Sequence, residues 1–154
     1  MSVPDRIELV RVFPVPRERV WAAITEPEQL AKWFVSAVEI EDLRPGAKIR
    51  FMFEQFGNPL GVIEAVEPLR RFAFRWPAVP VGADLTVPVT QTYNMLVEFT
   101  LEEVQEGTRL TFAHSGFGSL PPDKVEEYFK RDQRGWPTVM STLETHLQGK
   151  IEAH

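Results

Sequence analysis

The sequence of 154 residues predicts a single α+β domain, in which a curved antiparallel sheet of about seven strands wraps around a long C-terminal helix. Seven stretches of the chain alternate apolar and polar side chains, which is typical of strands with one buried face. Residues that form turns separate these stretches. The C-terminal part of the chain spaces its apolar residues as a helix does, and such a helix can cover the single apolar face of the sheet.

The first strand is predicted at residues 6–13, where Ile7 and Leu9 alternate with charged side chains. A short helix follows it and ends near Thr25. Thr25 and Glu28 are spaced as a capping box, in which each side chain accepts a hydrogen bond from the amide of the other residue. This spacing predicts a second short helix within residues 26–34, so that the two helices form a V.

The last two strands can be aligned from the turn between them. If residues 106–107, Glu-Gly, form a two-residue hairpin turn, Phe99 lies opposite His114. The same alignment places Leu101 opposite Phe112, and the large apolar residues of both strands then share one face of the sheet. The six strands after the short helices are predicted within residues 36–41, 47–56, 57–67, 70–76, 93–104 and 108–117.

The C-terminal helix is interrupted near its middle by Gly135 and Pro137. Because Pro137 has no amide hydrogen and its ring crowds the preceding turn, we expect the helix to bend or to restart there. Gly149 is a natural stop for this helix. A bend would leave Trp136 at a joint that can close one end of a cavity, whereas a restart would put Pro137 in the first turn of a separate helix. The apolar stripe consists of Trp136, Val139, Met140, Leu143 and Leu147.

Residues 77–92 break the alternating pattern with three prolines and a single charged side chain, Asp84. Connections longer than about 12–15 residues are usually functional or disordered. Because this segment is rich in valine, we expect it to pack against the domain or against a second copy rather than extend into solvent. It would then either cover a cavity opening or contribute to a homodimer contact.

Composition excludes several classes of protein. The net charge is −5 and the arginines are scattered, which disfavours nucleic acid or anionic membranes as partners. The chain has no cysteine, so disulfides and thiol catalysis are excluded. No stretch approaches the roughly 20 apolar residues of a membrane span, and no signal peptide is recognisable at the N-terminus. We therefore expect a cytoplasmic protein.

His114 is the only histidine inside a strand pattern, and its side chain is predicted to face inward. It is either a polar anchor or general base, or a core histidine that bonds a backbone carbonyl or Ser115. The core interpretation is favoured because spacing identifies no partner carboxylate. Glu64 has an ambiguous face, which favours solvent over a cavity, and Glu98 is predicted to point outward.

Aromatic side chains are the strongest signal of a binding site, since they line the predicted interior. No nucleophile motif, phosphate-binding loop or metal-ligand spacing accompanies them, so we predict no catalytic residue, no metal and no cofactor. The predicted ligand-binding residues are Trp33, Phe51, Phe53, Phe74, Trp76, Phe99, Phe112, His114, Trp136, Met140 and Leu143.

Four stretches of the chain resemble the START-like superfamily, also called SRPBCC, and within it the AHSA-type branch of heat-shock-protein ATPase activator homologues. The resemblance implies a helix-grip fold, with a cavity between the sheet and the C-terminal helix. Pro137 and the long segment 77–92 depart from the family pattern. The stretches that carry the resemblance are VFPVPRERVWAAITEPEQLAKWF, FAFRW, EFTLEEVQEGTRLTFAHSGF and GWPTVMSTLETHL.

The resemblance and the apolar interior together favour a domain that binds a hydrophobic or amphipathic, lipid-like small molecule. One alternative is a cyclase- or hydrolase-like enzyme in which His114 or Glu64 moves a proton. The other is an interaction domain with a chaperone partner and a role in the stress response, as the name of the branch implies. A histidine and a carboxylate within about 3.2 Å of each other would favour the enzyme.

Overall fold

A computed structural model of the protein describes residues 6–34, 37–52, 60–77, 94–117 and 125–152. The order of elements matches the prediction: one strand, two short helices, six strands and a long C-terminal helix. The elements are β1 (Arg6–Phe13), α1 (Arg17–Thr25), α2 (Pro27–Trp33), β2 (Ala37–Ile40), β3 (Lys48–Met52), β4 (Leu60–Glu67), β5 (Arg71–Pro77), β6 (Asn94–Val104), β7 (Gly107–Ser115) and α3 (Val125–Glu152).

The strands form one antiparallel sheet in the order β1-β7-β6-β5-β4-β3-β2. From β2 to β7, strands that follow one another in the chain pair with one another, while β1 pairs with the last strand, β7. The helices α1 and α2 therefore connect the two edge strands of the sheet. The long helix α3 contacts β1, α1 and α2, and its apolar side belongs to the same core as the inward side of the sheet. This arrangement confirms the predicted helix-grip fold.

The hairpin between β6 and β7 has a different register from the predicted one. Phe99 pairs with Phe112, and the turn residues are Gln105 and Glu106. The predicted pairing was wrong by two residues, although the faces were right because side chains alternate with a period of two. Gly107 lies in β7 with a φ of +139°, and a Cβ there would collide with the backbone of the chain segment after β1. The glycine therefore permits a close approach and does not form the turn.

The corner between α1 and α2 does not use the predicted capping box. Thr25 is the last residue of α1, and its hydroxyl donates to the carbonyl oxygen of Trp21 at 2.7 Å. The N-cap of α2 is Glu26, and no side chain caps it. Pro27 begins the helix, because proline at the first position lacks only an amide that would have no partner there.

The helix α3 runs through Pro137 and past Gly149, so a restart at Pro137 and a stop at Gly149 were wrong, while a bend at Pro137 stays a prediction. Proline removes the hydrogen bond to Gln133, but buried side chains on both sides of it hold the helix against the same core. The buried apolar residues of α3 are Phe129, Trp136, Met140, Leu143 and Leu147.

Candidate functional site

Seven aromatic side chains contact one another across the interior, and we call them the aromatic wall: Trp33, Phe34, Phe51, Phe74, Phe99, Phe112 and Trp136. Five of their rings form a closed loop of contacts that joins α2, β6, β7 and α3. The centroid distances around the loop are 5.3 Å for Trp33–Phe34, 5.9 Å for Phe34–Trp136, 4.4 Å for Trp136–Phe112, 5.4 Å for Phe112–Phe99 and 6.3 Å for Phe99–Trp33.

Because side chains alternate along the strands and recur every three to four residues along the helices, the rings of the aromatic wall all point into the core. Phe99 and Phe112 are cross-strand partners on the inward face of β6 and β7, and both are fully buried. Trp33 is held in place by its indole N–H, which donates to the carbonyl oxygen of Ala23 at 2.8 Å. That hydrogen bond links α2 to α1 and holds the Trp33 side chain in its orientation.

Phe34 is the member of the aromatic wall that is only half-buried, and the sequence analysis did not select it. It directly follows α2 and lies against Trp33 and Trp136. Its ring also meets Phe51 edge-on, with the centroids 5.8 Å apart. Phe34 is thus the part of the aromatic wall that lies nearest to solvent.

Nine of the eleven predicted ligand-binding residues are buried in this one core. Phe53 lies outside the described residues, and Trp76 is described only through its backbone, which pairs with Met95. Contact of these residues with a ligand stays a prediction. The nine are Trp33, Phe51, Phe74, Phe99, Phe112, His114, Trp136, Met140 and Leu143.

His114 is a buried histidine with 4% of its surface exposed, and its partner is an unexpected one. The indole N–H of Trp136 donates to Nδ1 of His114 at 2.9 Å. Burial, and secondly the positive charge of Arg131, lowers the pKa of His114 to about 3. The imidazole is therefore neutral at physiological pH, and because Nδ1 accepts, its proton is on Nε2.

Asp132 is the carboxylate that the sequence analysis missed. Its Oδ2 lies 3.7 Å from Nδ1 of His114, and the side chain is 15% exposed. Burial raises the pKa of Asp132, while the hydrogen bond from Arg131 acts in the opposite direction. Asp132 lies four residues before Trp136, so helical spacing counted backward from Trp136 would have found it.

The 3.7 Å between Nδ1 of His114 and Oδ2 of Asp132 is longer than a hydrogen bond and longer than the 3.2 Å expected of a catalytic pair. Moreover, Nδ1 of His114 already accepts from Trp136, so it has no proton to donate to the carboxylate. The pair therefore does not meet the distance expected of a catalytic histidine and carboxylate.

Aromatic rings and one cation enclose this polar pair. Phe117 lies edge-on to His114 at 5.1 Å between ring centroids, and Phe129 lies 5.2 Å from Phe117. The guanidinium of Arg131 lies over the ring of Tyr128 at 4.9 Å, and its Nε donates to Oδ1 of Asp132 at 2.8 Å. Asp132 is thus partly neutralised from the side opposite the core.

The two glutamates face away from the aromatic wall. Glu64 is at a bulge in β4 and pairs with Arg75 at 3.0 Å with its side chain 42% exposed, so a role inside a cavity is excluded. Glu98 points outward as predicted, and it is held by Arg71 at 2.5 Å.

A second polar group, which we call the helix network, consists of Arg19, Gln29 and His146. Arg19 donates to the side-chain oxygen of Gln29 at 3.0 Å and to the backbone carbonyl of His146 at 3.3 Å. Nε2 of His146 lies 3.2 Å from that same oxygen of Gln29. The helix network joins α1 and α2 to the C-terminal half of α3.

In the described part of the chain, no helix combines the length and apolar character that crossing a membrane requires. Within the same residues, no three histidine, cysteine or acidic side chains come together as a metal site would need.

Comparison with known families gives one match, to the Activator of Hsp90 ATPase homolog 1-like proteins, over residues 14–148. No curated protein matches the chain.

Several solved structures are similar in fold. MLL2253 from Mesorhizobium loti has 24% identity and a TM-score of 0.74, over 93% of this chain and 96% of its own. NE0264 from Nitrosomonas europaea has 24% identity and a TM-score of 0.74, over 97% and 99% of the two chains. The Aha1 dimer from Colwellia psychrerythraea has 18% identity and a TM-score of 0.70, over 92% of this chain and 95% of the other.

Proposed function

The chain belongs to the family of Activator of Hsp90 ATPase homolog 1-like proteins, and we propose that it binds a hydrophobic or amphipathic small molecule between the sheet and α3. The ligand would lie along the aromatic wall. Binding sites of this kind are mostly apolar, with a few placed polar groups that fix the orientation of the ligand. The aromatic wall and the His114–Trp136 pair at its end have that composition.

The observation that carries this proposal is the polar cluster at the end of an apolar wall. Burial disfavours the charge of Asp132, so the carboxylate adds less to stability than an apolar side chain of similar size would. A domain that only needed a core would gain nothing from such a group. A domain that orients an amphipathic ligand needs one polar end in an otherwise apolar site.

Phe34 supplies the second argument. Its ring is stacked on Trp33 and Trp136 and is only partly buried. Aromatic side chains that are accessible at one edge give a ligand a large contact area with little loss of conformational entropy. Phe34 is therefore the residue against which we expect the ligand to be bound first.

A second candidate function is association with a chaperone, which the family match favours. The neighbour from Colwellia psychrerythraea is a dimer, which favours self-association in the same way. A pull-down with Hsp90 and sedimentation at several concentrations test these two interactions separately from ligand binding.

Native mass spectrometry of the purified protein tests the primary proposal, because a tightly held apolar molecule remains bound in the gas phase. We also expect uptake of an apolar fluorescent probe, weakened roughly tenfold by Phe34→Ala through the loss of ring contacts. Val62→Ala is the matched control, since Val62 is 46% exposed on β4. A protein that carries no molecule and takes up no probe would overturn the proposal.

A further inference from the structure

We infer that the polar head of the ligand is a neutral hydroxyl group, which donates a hydrogen bond to Oδ2 of Asp132 at the end of the aromatic wall. This chemical class of ligand rests on the proposed function, whose binding site it shares. Three features of the molecule support it: the position of Asp132, the hydrogen bonds that its carboxylate already has, and the charge of Arg131.

Asp132 borders the aromatic wall from the N-terminal half of α3. Its Oδ2 lies 3.7 Å from Nδ1 of His114, and that nitrogen accepts the indole N–H of Trp136, a member of the wall. Trp136 follows Asp132 by about one helical turn, so the two side chains are on the same side of α3. Only 15% of the Asp132 side chain is exposed. Oδ2 therefore lies next to the buried end of the wall.

The two carboxylate oxygens of Asp132 differ in the strength of their hydrogen bonds. Oδ1 accepts from Nε of Arg131 at 2.8 Å, whereas Oδ2 accepts from Nη2 of Arg131 at the long distance of 3.4 Å. Nδ1 of His114 cannot donate to Oδ2, because it is the acceptor of the indole N–H of Trp136. Among the described residues, both hydrogen bonds to this carboxylate thus come from Arg131. A carboxylate oxygen has two lone pairs, so Oδ2 has the capacity for a further, shorter hydrogen bond.

A ligand hydroxyl would supply this further hydrogen bond. Burial raises the pKa of Asp132, because it disfavours the charged carboxylate, and each added donor stabilises that charged form. Hydrogen bonds to a charged group are shorter and roughly twice as strong as those between neutral groups. A ligand with a hydroxyl therefore gains more beside Asp132 than a ligand whose head group only accepts hydrogen bonds.

The positive charge of Arg131 makes a neutral donor sufficient. The guanidinium of Arg131 lies over the ring of Tyr128 and pairs with Asp132, so the carboxylate already has a cationic partner. The ligand need not bring a second cation. An anionic head group would be attracted by Arg131, but it would bring no hydrogen to Oδ2. An anionic probe therefore distinguishes contact with Arg131 from contact with Asp132.

The test measures how well four compounds with twelve-carbon chains displace the apolar fluorescent probe: lauryl alcohol, methyl laurate, sodium laurate and dodecane. Of these, lauryl alcohol has a hydroxyl to donate, whereas the ester accepts hydrogen bonds without donating them. In the wild type we expect the alcohol to bind about tenfold more tightly than the ester, which is the value of one hydrogen bond to a charged group. Sodium laurate should also bind more weakly than the alcohol.

Two variants assign this preference to Asp132. In Asp132→Leu, which removes the acceptor and keeps a side chain of similar size, the alcohol should lose its advantage over the ester. Asp132→Asn is the more conservative change, in case the leucine prevents folding. Its amide oxygen is a neutral acceptor, so the advantage should shrink to about two- to threefold. Glu144→Gln, exposed on the same helix, is the matched control and should leave the order of the four compounds unchanged.

Failure of the hydroxyl preference and failure of the proposed function give different results. If neither the fluorescent probe nor any of the four compounds binds, both are wrong. If the alcohol and the ester bind the wild type equally, the protein binds apolar ligands but Asp132 does not select among them. Tighter binding of sodium laurate than of the alcohol would make Arg131 the residue that contacts the head group, and would overturn the inference. An advantage of the alcohol that survives in Asp132→Leu would overturn it as well.

Discussion

The N-terminal half of α3 packs a carboxylate and an indole N–H against a buried histidine, whereas the C-terminal half packs leucines and keeps its polar contacts in the helix network. Leu143 and Leu147 are fully or almost fully buried there. In the helix network, the charged group is an arginine that donates to oxygens of two neighbouring helices. Burial disfavours both charges, since it lowers the pKa of Arg19 and raises the pKa of Asp132.

The different packing of its two halves indicates that the halves of α3 have different roles. The C-terminal half packs α3 against the core and joins it to α1 and α2, and we expect it to act mainly on stability. The N-terminal half holds a carboxylate and an indole N–H next to a buried imidazole, and we expect it to act mainly on binding. Substitutions in the two halves should therefore act in opposite ways on stability and on binding.

The largest effect is expected in the anchoring half. Leu143 has no exposed surface, so Leu143→Ala should lower the free energy of unfolding by about 2–5 kcal/mol through lost contacts and the resulting void. Urea denaturation measures this, with Ser141→Ala, an exposed position on the same helix, as control. A loss below about 1 kcal/mol would contradict the assignment of this half as the anchor.

The second effect is a dependence of the free energy of unfolding on pH, which comes from His114. Its pKa is about 3 in the folded protein and near 6.5 when unfolded, so between these values only the unfolded state binds the proton. Stability is fully present above pH 6.5 and falls as the pH drops, by up to about 1.4 kcal/mol per unit. The raised pKa of Asp132 acts in the opposite sense at the acid end, because its protonation favours the folded state.

The substitution His114→Gln isolates the histidine contribution, since Asp132 is present in both proteins. The difference in the free energy of unfolding between wild type and variant should shift steadily as the pH is lowered from 6.5 toward 4. Parallel curves over this range would mean that His114 is accessible to protons in the folded protein.

A smaller effect is expected from Asp132→Asn at neutral pH. The amide is similar in shape and removes a charge that burial disfavours, so stability should stay the same or rise by up to about 1 kcal/mol. Glu144→Gln, an exposed change of the same type on α3, is the control and should leave the stability unchanged. A clear loss of stability in Asp132→Asn would place this carboxylate among the anchors.

The smallest effect concerns the junction between the halves. A Cβ at Gly135 would meet no atom within 4 Å, so Gly135→Ala should stabilise α3 by roughly 0.5–1 kcal/mol through helix propensity. Gly61→Ala is the contrasting change, since its Cβ would collide with the backbone of Arg75. If thermal unfolding shows Gly135→Ala to be destabilising, the glycine has a role in the motion or the bend of the helix.

Much of the fold could be predicted from the sequence because strand and helix periods are local properties. The faces of β6 and β7 were right even though their register was wrong, since a shift of two residues preserves every face. The predicted register was wrong because it placed Gly107 in the turn. The glycine instead allows the backbone at the end of β1 to approach closely, and that contact is far away in the chain. A restart at Pro137 and a stop at Gly149 were wrong, and at Pro137 the buried side chains on both sides outweigh the local preference.

The candidate site could be predicted only in part. Aromatic positions were recognised because they follow the strand pattern. The partner of His114 was not, because Trp136 is 22 residues away and meets it only once α3 lies on the sheet. Asp132 was missed because its link to His114 depends on Trp136, four residues further along α3, and Phe34 was left out of the predicted binding residues although it directly follows Trp33.

The most direct test of ligand binding at the aromatic wall follows the indole N–H signals of the four tryptophans by NMR while methyl laurate is added. Trp33 and Trp136 belong to the wall, whereas Trp21 lies on α1 against Phe72. We predict that the signals of Trp33 and Trp136 shift and saturate at one ligand per protein while that of Trp21 stays in place. Unchanged signals from Trp33 and Trp136 at saturating methyl laurate would contradict the account.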